Sequence, residues 1–219
     1  MKRSPLVMLI SLLLAAPSMA ASPEFGVGVF GGYNTYRMND VDFSVIPVDD
    51  LSSGISFGGG LRIRTSPSVL LSLDYERLTG TTSSFGSTNG VSYDLELHMP
   101  ADAIIAGATY YFPSDSKGHF GLTVGVGYYM ADGGGTITLD DGVNNVTLTG
   151  DVVGSGLGLH GGAAASMAIS TAAHLEAMAG YRFAKTGDLE GSNRIQLHGF
   201  AEWSGLMARI GLSFFLGDH

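Results

Sequence analysis

The chain has 219 residues, enough for one domain, and beyond its first residues no apolar run reaches the roughly 18 needed for a membrane helix. Twenty acidic residues against 11 basic ones argue against nucleic-acid binding, because neutralising phosphates takes clustered Lys and Arg. There is no cysteine, so order must come from backbone pairing and burial.

The N-terminus reads as an export signal. Lys2 and Arg3 supply the positive region, Leu6 to Ala16 the apolar core, and Ser18-Met19-Ala20 a small-x-small cleavage site. Residues 1–20 are therefore expected to be removed, leaving a mature domain over 21–219 that starts at Ala21 or Ser22. Its 9 basic and 20 acidic residues give a formal charge of −11.

Strand-like alternation begins at Phe25–Tyr36, with Phe25, Val27, Val29 and Tyr33 on one face and Gly26, Gly28, Gly32 and Asn34 on the other. Phe30 breaks the pattern and is placed in the interior. Asn39–Ser53 is a loop carrying Asp40, Asp42, Asp49 and Asp50. The second strand, Ile55–Thr65, sets Ile55, Phe57, Leu61 and Ile63 against Ser56, Gly58, Gly60, Arg62 and Arg64. Ser66-Pro67-Ser68 is a tight turn. Val69–Arg77 follows, with Val69, Leu71, Leu73 and Tyr75 outward and Ser72, Asp74 and Glu76 opposite. Thr79–Gly90, rich in Ser, Thr and Gly, reads as a loop.

The fourth strand changes phase. Tyr93, Leu95, Leu97 and Met99 are its apolar positions before Pro100, and Ile104, Ala106, Ala108, Tyr110 and Phe112 after it. An extra residue at Pro100, a bulge, would reconcile the halves. Pro113–Gly118 is a turn. His119–Met130 alternates cleanly between Phe120, Leu122, Val124, Val126, Tyr128 and Met130 and a glycine-rich row. The longest loop, Asp132–Gly156, holds Asp140-Asp141-Gly142 between two β-rich runs, so this strand pair is expected to continue beyond the membrane as a hairpin. Leu157–Ala168 and Ala173–Phe183 are joined by little more than Ser170-Thr171, and the loop Ala184–Arg194 leads to the last strand.

In that closing strand Leu206, Ala208, Ile210, Leu212, Phe214 and Leu216 form one apolar face, and a run of about 9–11 residues spans a tilted bilayer. Arg209, Gly211, Phe214 and Leu216 resemble the C-terminal assembly signal of outer-membrane β-barrels, although the chain continues through Gly217-Asp218-His219. Connections alternate long and short with both chain ends on the short side. Tyr110, Phe112, Phe120 and Phe214 sit near the short turns, and Tyr33, Tyr128, Tyr181 and Phe183 near the opposite ends, as two interfacial girdles would. The 33 glycines recur inside these strands, where they permit curvature and thin a crowded interior. The expected fold is all-β: a transmembrane up-and-down antiparallel barrel of about eight strands, with periplasmic termini and long external loops.

On these grounds the chain resembles the small eight-stranded outer-membrane barrel superfamily that includes the outer-membrane protein A transmembrane domain and the outer-membrane protein X and W families. The resemblance implies contact with outer-membrane lipid and lipopolysaccharide and insertion by the barrel assembly machinery. It also implies a role drawn from a varied set: envelope stabilisation, adhesion, solute conduction or lipid modification.

The inward faces hold Arg62, Arg64, Asp74, Glu76, Glu176, Arg182 and Arg209. Mixed signs there imply paired clusters, which make either a polar plug or a narrow gated conduit for ions or small solutes. Asp140, Asp141, Asp151, Asp188 and Glu190 join the acidic loop residues named above as possible contacts for divalent cations, yet none has the spacing of a calcium loop. His198, Glu202 and Ser204 share a parity that a lipid A-directed hydrolase could use, but that row faces lipid and no nucleophile motif surrounds Ser204. His98, His119, His160 and His174 read as scattered rim or lumen groups. No cofactor motif is visible, and the chain reads as a non-enzyme.

Overall fold

The computed structural model describes residues 23–38, 51–88, 91–114, 117–187, 190–191 and 201–216. The export segment, Asp40, Asp42, Asp49, Asp50, Asp188 and His198 lie outside them. In chain order the strands are β1 (Glu24–Met38), β2 (Leu51–Ser66), β3 (Val69–Leu78), β4 (Thr81–Thr88), β5 (Val91–His98), β6 (Ala101–Tyr111), β7 (Gly118–Asp140), β8 (Asn145–Ala168), β9 (Ala173–Ala184), β10 (Glu190–Gly191) and β11 (Gly205–Leu216).

Hydrogen bonding runs in a ring through β1, β2, β3, β6, β7, β8, β9 and β11, then back to β1. Every pairing is antiparallel, and the closing one matches Phe25 with Leu216 and Asn34 with Met207. The connections β2–β3, β6–β7 and β8–β9 are short and share one end with Glu24 and Leu216. The opposite end carries the long connections.

Side chains alternate across this wall with a polarity opposite to that of a water-soluble sheet. Val27, Val29, Leu61, Leu73, Leu122, Val124, Leu159, Ile210 and Phe214 are exposed on the outside, while Arg62, Asp74, Glu76, Thr123, His160 and Arg182 are buried within. Such a surface is stable only where hydrocarbon replaces water, and a closed ring leaves no backbone edge there to satisfy. The result is an all-β, antiparallel, barrel-like fold with a membrane-facing exterior.

Two expectations need correcting. Thr79–Gly90 is not simply a loop: β4 forms over Thr81–Thr88 and pairs residue for residue with β5, from Thr81 opposite His98 to Thr88 opposite Val91. Its Ser/Thr run lacks the apolar alternation that marks a strand in sequence, and cross-strand pairing supplies what the pattern does not.

Pro100 is not a bulge either. His98 faces Gly134 and Ala101 faces Ala131, so three steps on one strand match three on the other and no residue is inserted. The Pro100 carbonyl accepts a hydrogen bond from Asp132 N–H. The same parity stays inside throughout: Tyr93, Leu95 and Met99 are buried, as are Ala101, Ala103 and Ile105. What flips is the medium. Below Pro100 the outer face meets lipid and shows Ile104 and Tyr110; above it the outer face meets water and shows Asp94, Glu96 and His98.

Beyond that boundary β7 and β8 continue as the expected hairpin, to Asp140 opposite Asn145, with β5 and β4 added along its side. Rows such as Ser84, Leu95, Ile137 and Leu148 align across the four strands. At the tip Gly142 takes φ 82°, the left-handed region that favours glycine. Asp141 Oδ1 accepts from the N–H groups of Val143 (2.8 Å) and Asn144 (2.6 Å), and these bonds hold its carboxyl below the usual aspartate range.

Replacing Val124 by Arg at mid-belt should destabilise the folded protein in phospholipid vesicles by about 2–4 kcal/mol, whereas Thr149→Arg above the belt should stay within about 0.5 kcal/mol, both read from urea unfolding. For the hairpin tip, the carboxyl 13C titration of Asp141 should have its midpoint below that of the unfolded chain. With the folded value depressed, its contribution is complete above the ordinary aspartate range and fades as pH falls through the lower folded midpoint.

Candidate functional site: the layered lumen

The ring is narrow enough for side chains to fill, and its contents are stacked in layers. At mid-height β2, β3 and β9 bring together Arg62, Asp74 and Glu176: Arg62 Nη1 donates to Asp74 Oδ1 at 2.5 Å, and Arg62 Nε lies 3.5 Å from Glu176 Oε2. Toward the loop end β3, β9 and β11 converge on Glu76, whose Oε2 accepts from Arg182 Nη2 at 2.6 Å and also from Arg209 Nη2. Arg182 and Glu76 are 1% and 0% exposed. Toward the turn end Arg64 Nη1 donates to Glu24 Oε2 at 3.0 Å. Four arginines thus meet four carboxylates, and the cluster has no formal net charge.

Pairing is what allows these charges to be there. Removing an ion from water costs several kcal/mol even after relaxation, and only a close partner with supporting hydrogen bonds offsets it. Two arginines also use aromatic faces: Arg209 lies 4.8 Å from the centroid of Phe30 and Arg64 lies 4.1 Å from that of Phe215. Phe30 lines the lumen, where the break in alternation placed it. Small residues make room for the cluster. A methyl group on Gly60 would stand 2.4 Å from Asp74 Oδ1, and one on Gly125 would stand 2.4 Å from His160 Cε1.

Arg62, Arg64, Asp74, Glu76, Glu176, Arg182 and Arg209 each take part in an ion pair of this interior, and Glu24 joins them. Of the residues expected to form an assembly signal, Arg209 and Gly211 are on the inward row, whereas Phe214 and Leu216 point outward. Between the ionic layers is a cavity of about 70 Å³ lined by Arg62, Asp74, His160, Glu176 and Arg209, with room for a few waters. Of the atoms lining it, Glu176 Oε1, His160 Nδ1 and Arg209 Nε are buried without a hydrogen-bond partner among the described residues.

The pattern did not single out the apolar cap at the loop end. Tyr36, Leu78, Met99, Ala103, Ile105, Tyr129, Val152 and Trp203 belong to one buried cluster closing that end. Trp203 enters because the segment before β11 continues the β9–β11 register: Trp203 N–H donates to Ala184 O, and Thr186 N–H to Ala201 O. A signal was available. Tyr129 shares the inward row with Gly125 and Gly127, and an inward aromatic above the charges is a lid. A second, smaller apolar layer of Leu70, Tyr111, Ala164 and Phe215 lies near the turn end.

Ser204 is committed to structure, its Oγ accepting from Ala184 N–H at 3.2 Å, while Glu202 forms a backbone bridge to Lys185. Among the described residues no group of three His, Asp or Glu is placed to hold a metal ion. Asp140 and Asp141 bond to their own turn, and Asp151 sits on the outer row of β8. Glu190 contributes a backbone pairing to Val153.

A closed antiparallel ring with an apolar exterior and a polar, ion-paired interior defines an outer-membrane β-barrel. The sequence matches the family model described as outer membrane protein beta-barrel domain over residues 6–200, and the chain belongs to that family. It is a membrane protein of the bacterial outer membrane. Among solved structures it is similar to a major outer membrane protein of Thermus thermophilus, at 13% identity and a TM-score of 0.54, covering 90% of this chain and all of that one. Neisserial surface protein A aligns at 16% identity and a TM-score of 0.43, over 89% of this chain and 99% of its own. CarO of Acinetobacter baumannii gives 16% and 0.46, over 87% and 97%. No curated protein matches the sequence.

Glu76→Gln leaves Arg182 and Arg209 without their shared carboxylate and should cost about 3–5 kcal/mol in urea unfolding, against about 0.5 kcal/mol or less for Glu96→Gln on the exposed outer row.

Proposed function

We propose that this protein is an eight-stranded transmembrane barrel with its turns and termini in the periplasm and its long connections outside the cell. Its lumen is a plug, and its work is done by the external face. The observation that carries this reading is the stacking of an apolar cap, Leu78, Met99, Tyr129 and Trp203 among it, directly over a charge-neutral ionic network. An ion entering from outside would have to dry itself in the cap and then displace paired arginines, and each step is costly. Outside, the sheet of β4, β5, β7 and β8 presents Asp94, Glu96, Asp140 and Asp151 on its water-facing side. Carboxylates at that height suit divalent cations, which also bridge the phosphates of lipopolysaccharide. A structural, envelope-interacting role follows, with insertion by the barrel assembly machinery through the closing strand.

A second reading has its own observation. The cavity between the ionic layers and the unpartnered atoms lining it would let Glu76 and Glu176 exchange arginines, which makes a narrow gated conduit for ions or small solutes. A lipid A-directed hydrolase has less support, because the hydroxyl of Ser204 is tied to Ala184.

Purified protein in planar bilayers decides between the first two. The plugged reading expects no reproducible conductance steps at neutral pH, and expects them to appear when the cap is opened by Trp203→Ala. Steady steps from the unaltered protein would establish the conduit instead.

A further inference from the structure

Each strand of the ring contributes one inward side chain to the turn-end mouth: Glu24, Arg64, Leu70, Tyr111, His119, Ser166, His174 and Phe215 from β1, β2, β3, β6, β7, β8, β9 and β11. Of these, Glu24, Arg64, Tyr111, His119, Ser166 and His174 line a bowl of about 200 Å³, together with Thr65, Ser66 and Pro67. We infer that this bowl is a binding site for a small oxyanion, a phosphate or a carboxylate, and that it holds its ligand more tightly as the surroundings acidify.

The chemistry of the lining points that way. Among the described residues of its lining Glu24 is the one carboxylate, and Arg64 already engages it at 3.0 Å. The remaining polar groups can all donate: the Arg64 guanidinium, two imidazoles, and the hydroxyls of Thr65, Ser66, Tyr111 and Ser166. Arg64 can only donate, and with the hydroxyls and imidazoles able to donate beside it the described lining suits an acceptor. The donors are also built in place. His174 and Ser166 are 9% and 5% exposed, His174 Nδ1 lies 3.4 Å from Ser166 Oγ, and the imidazole packs edge-on against Phe215 with centroids 5.4 Å apart. That leaves Nε2 for a ligand. Arg64 is stacked on the same Phe215 ring, and among the described residues only its Nη1 is engaged by a carboxylate, so its planar fork is oriented and partly free.

The bowl has a dry floor. Leu70, Tyr111, Ala164 and Phe215 separate it from the ionic layers above, so Arg62 and Glu176 act on it only across Tyr111. An apolar floor strengthens any charge interaction formed over it. The groups facing His174 are Arg64 on β2, Glu24 on β1, His119 on β7 and Tyr111 on β6. An imidazole ordinarily takes up its proton near pH 6.5, inside the range this protein can meet. A protonated imidazole would add positive charge beside the Arg64–Glu24 pair, so an anion gains attraction as pH falls.

The test is an NMR titration of the full chain in detergent micelles, following the His119 and His174 ring resonances and the Arg64 side chain. Sulfate, whose charge is constant across the range, stands in for a phosphate; acetate stands in for a carboxylate; chloride is the control. Saturable shifts confined to this mouth are expected, with affinity about tenfold higher near pH 5.5 than near pH 8, and lost in Arg64→Gln and weakened in His119→Gln. Saturation by sulfate assigns a phosphate-type ligand and saturation by acetate a carboxylate. His119→Gln lies outside the Arg64–Glu24 pair and carries the test if Arg64→Gln does not fold. Shifts that are unsaturable, independent of pH, unchanged in the folded variants, or equal for chloride would overturn the inference. Conductance plays no part in this measurement, so its outcome is separate from whether the lumen is a plug.

Discussion

The pairing of the first strand with the last is the constraint on which the rest depends. β1 and β11 lie at opposite ends of the sequence, yet their residues match one for one from Phe25–Leu216 to Asn34–Met207. In hydrocarbon an unpaired strand edge exposes a row of polar groups with no water to receive them, at several kcal/mol each. Closing the ring removes both edges at once. It also makes an inside, and every second residue of every strand is then committed to it.

That commitment explains the lumen. An inward row at membrane depth is cut off from water, so charges placed on it have to find one another. Glu76 takes two arginines and Arg62 takes two carboxylates, and the bonds connect strands that are far apart in sequence. Buried pairs of this kind add little net stability compared with an apolar core, but breaking one is expensive. They act by holding register: sliding a strand by one residue would turn its charges into lipid. The apolar layers above and below then set what can reach them. One closes the loop end, and the other divides the ionic layers from the bowl at the turns.

The same parity serves two media. Along β5, β6 and β7 the inward row never changes, yet the outer face turns near Pro100 from charged above to apolar below. Above the bilayer the strands follow the logic of a soluble sheet, with Tyr93 and Leu95 inside and Asp94 and Glu96 in water. Below it they follow the reverse logic. The ion pair of Arg77 with Asp102, supported by Tyr75, faces outward at this transition and marks the level where lipid gives way to water.

Much of this was legible in one dimension. Period-two alternation located the strands of the ring and assigned their faces, the rows of Arg62, Asp74 and Arg182 among them, because in a wall one residue thick sidedness is a local property of each strand. β4 was hidden because its Ser and Thr residues carry no apolar period, and the phase change at Pro100 suggested a bulge because sequence shows apolarity without showing the medium that rewards it. Which charges pair, that Trp203 and Leu78 share a cap, and that Arg64, His119 and His174 meet at one mouth came only from the closed ring. Closure sets neighbours across strands through register around the whole circumference, and no single strand contains that information.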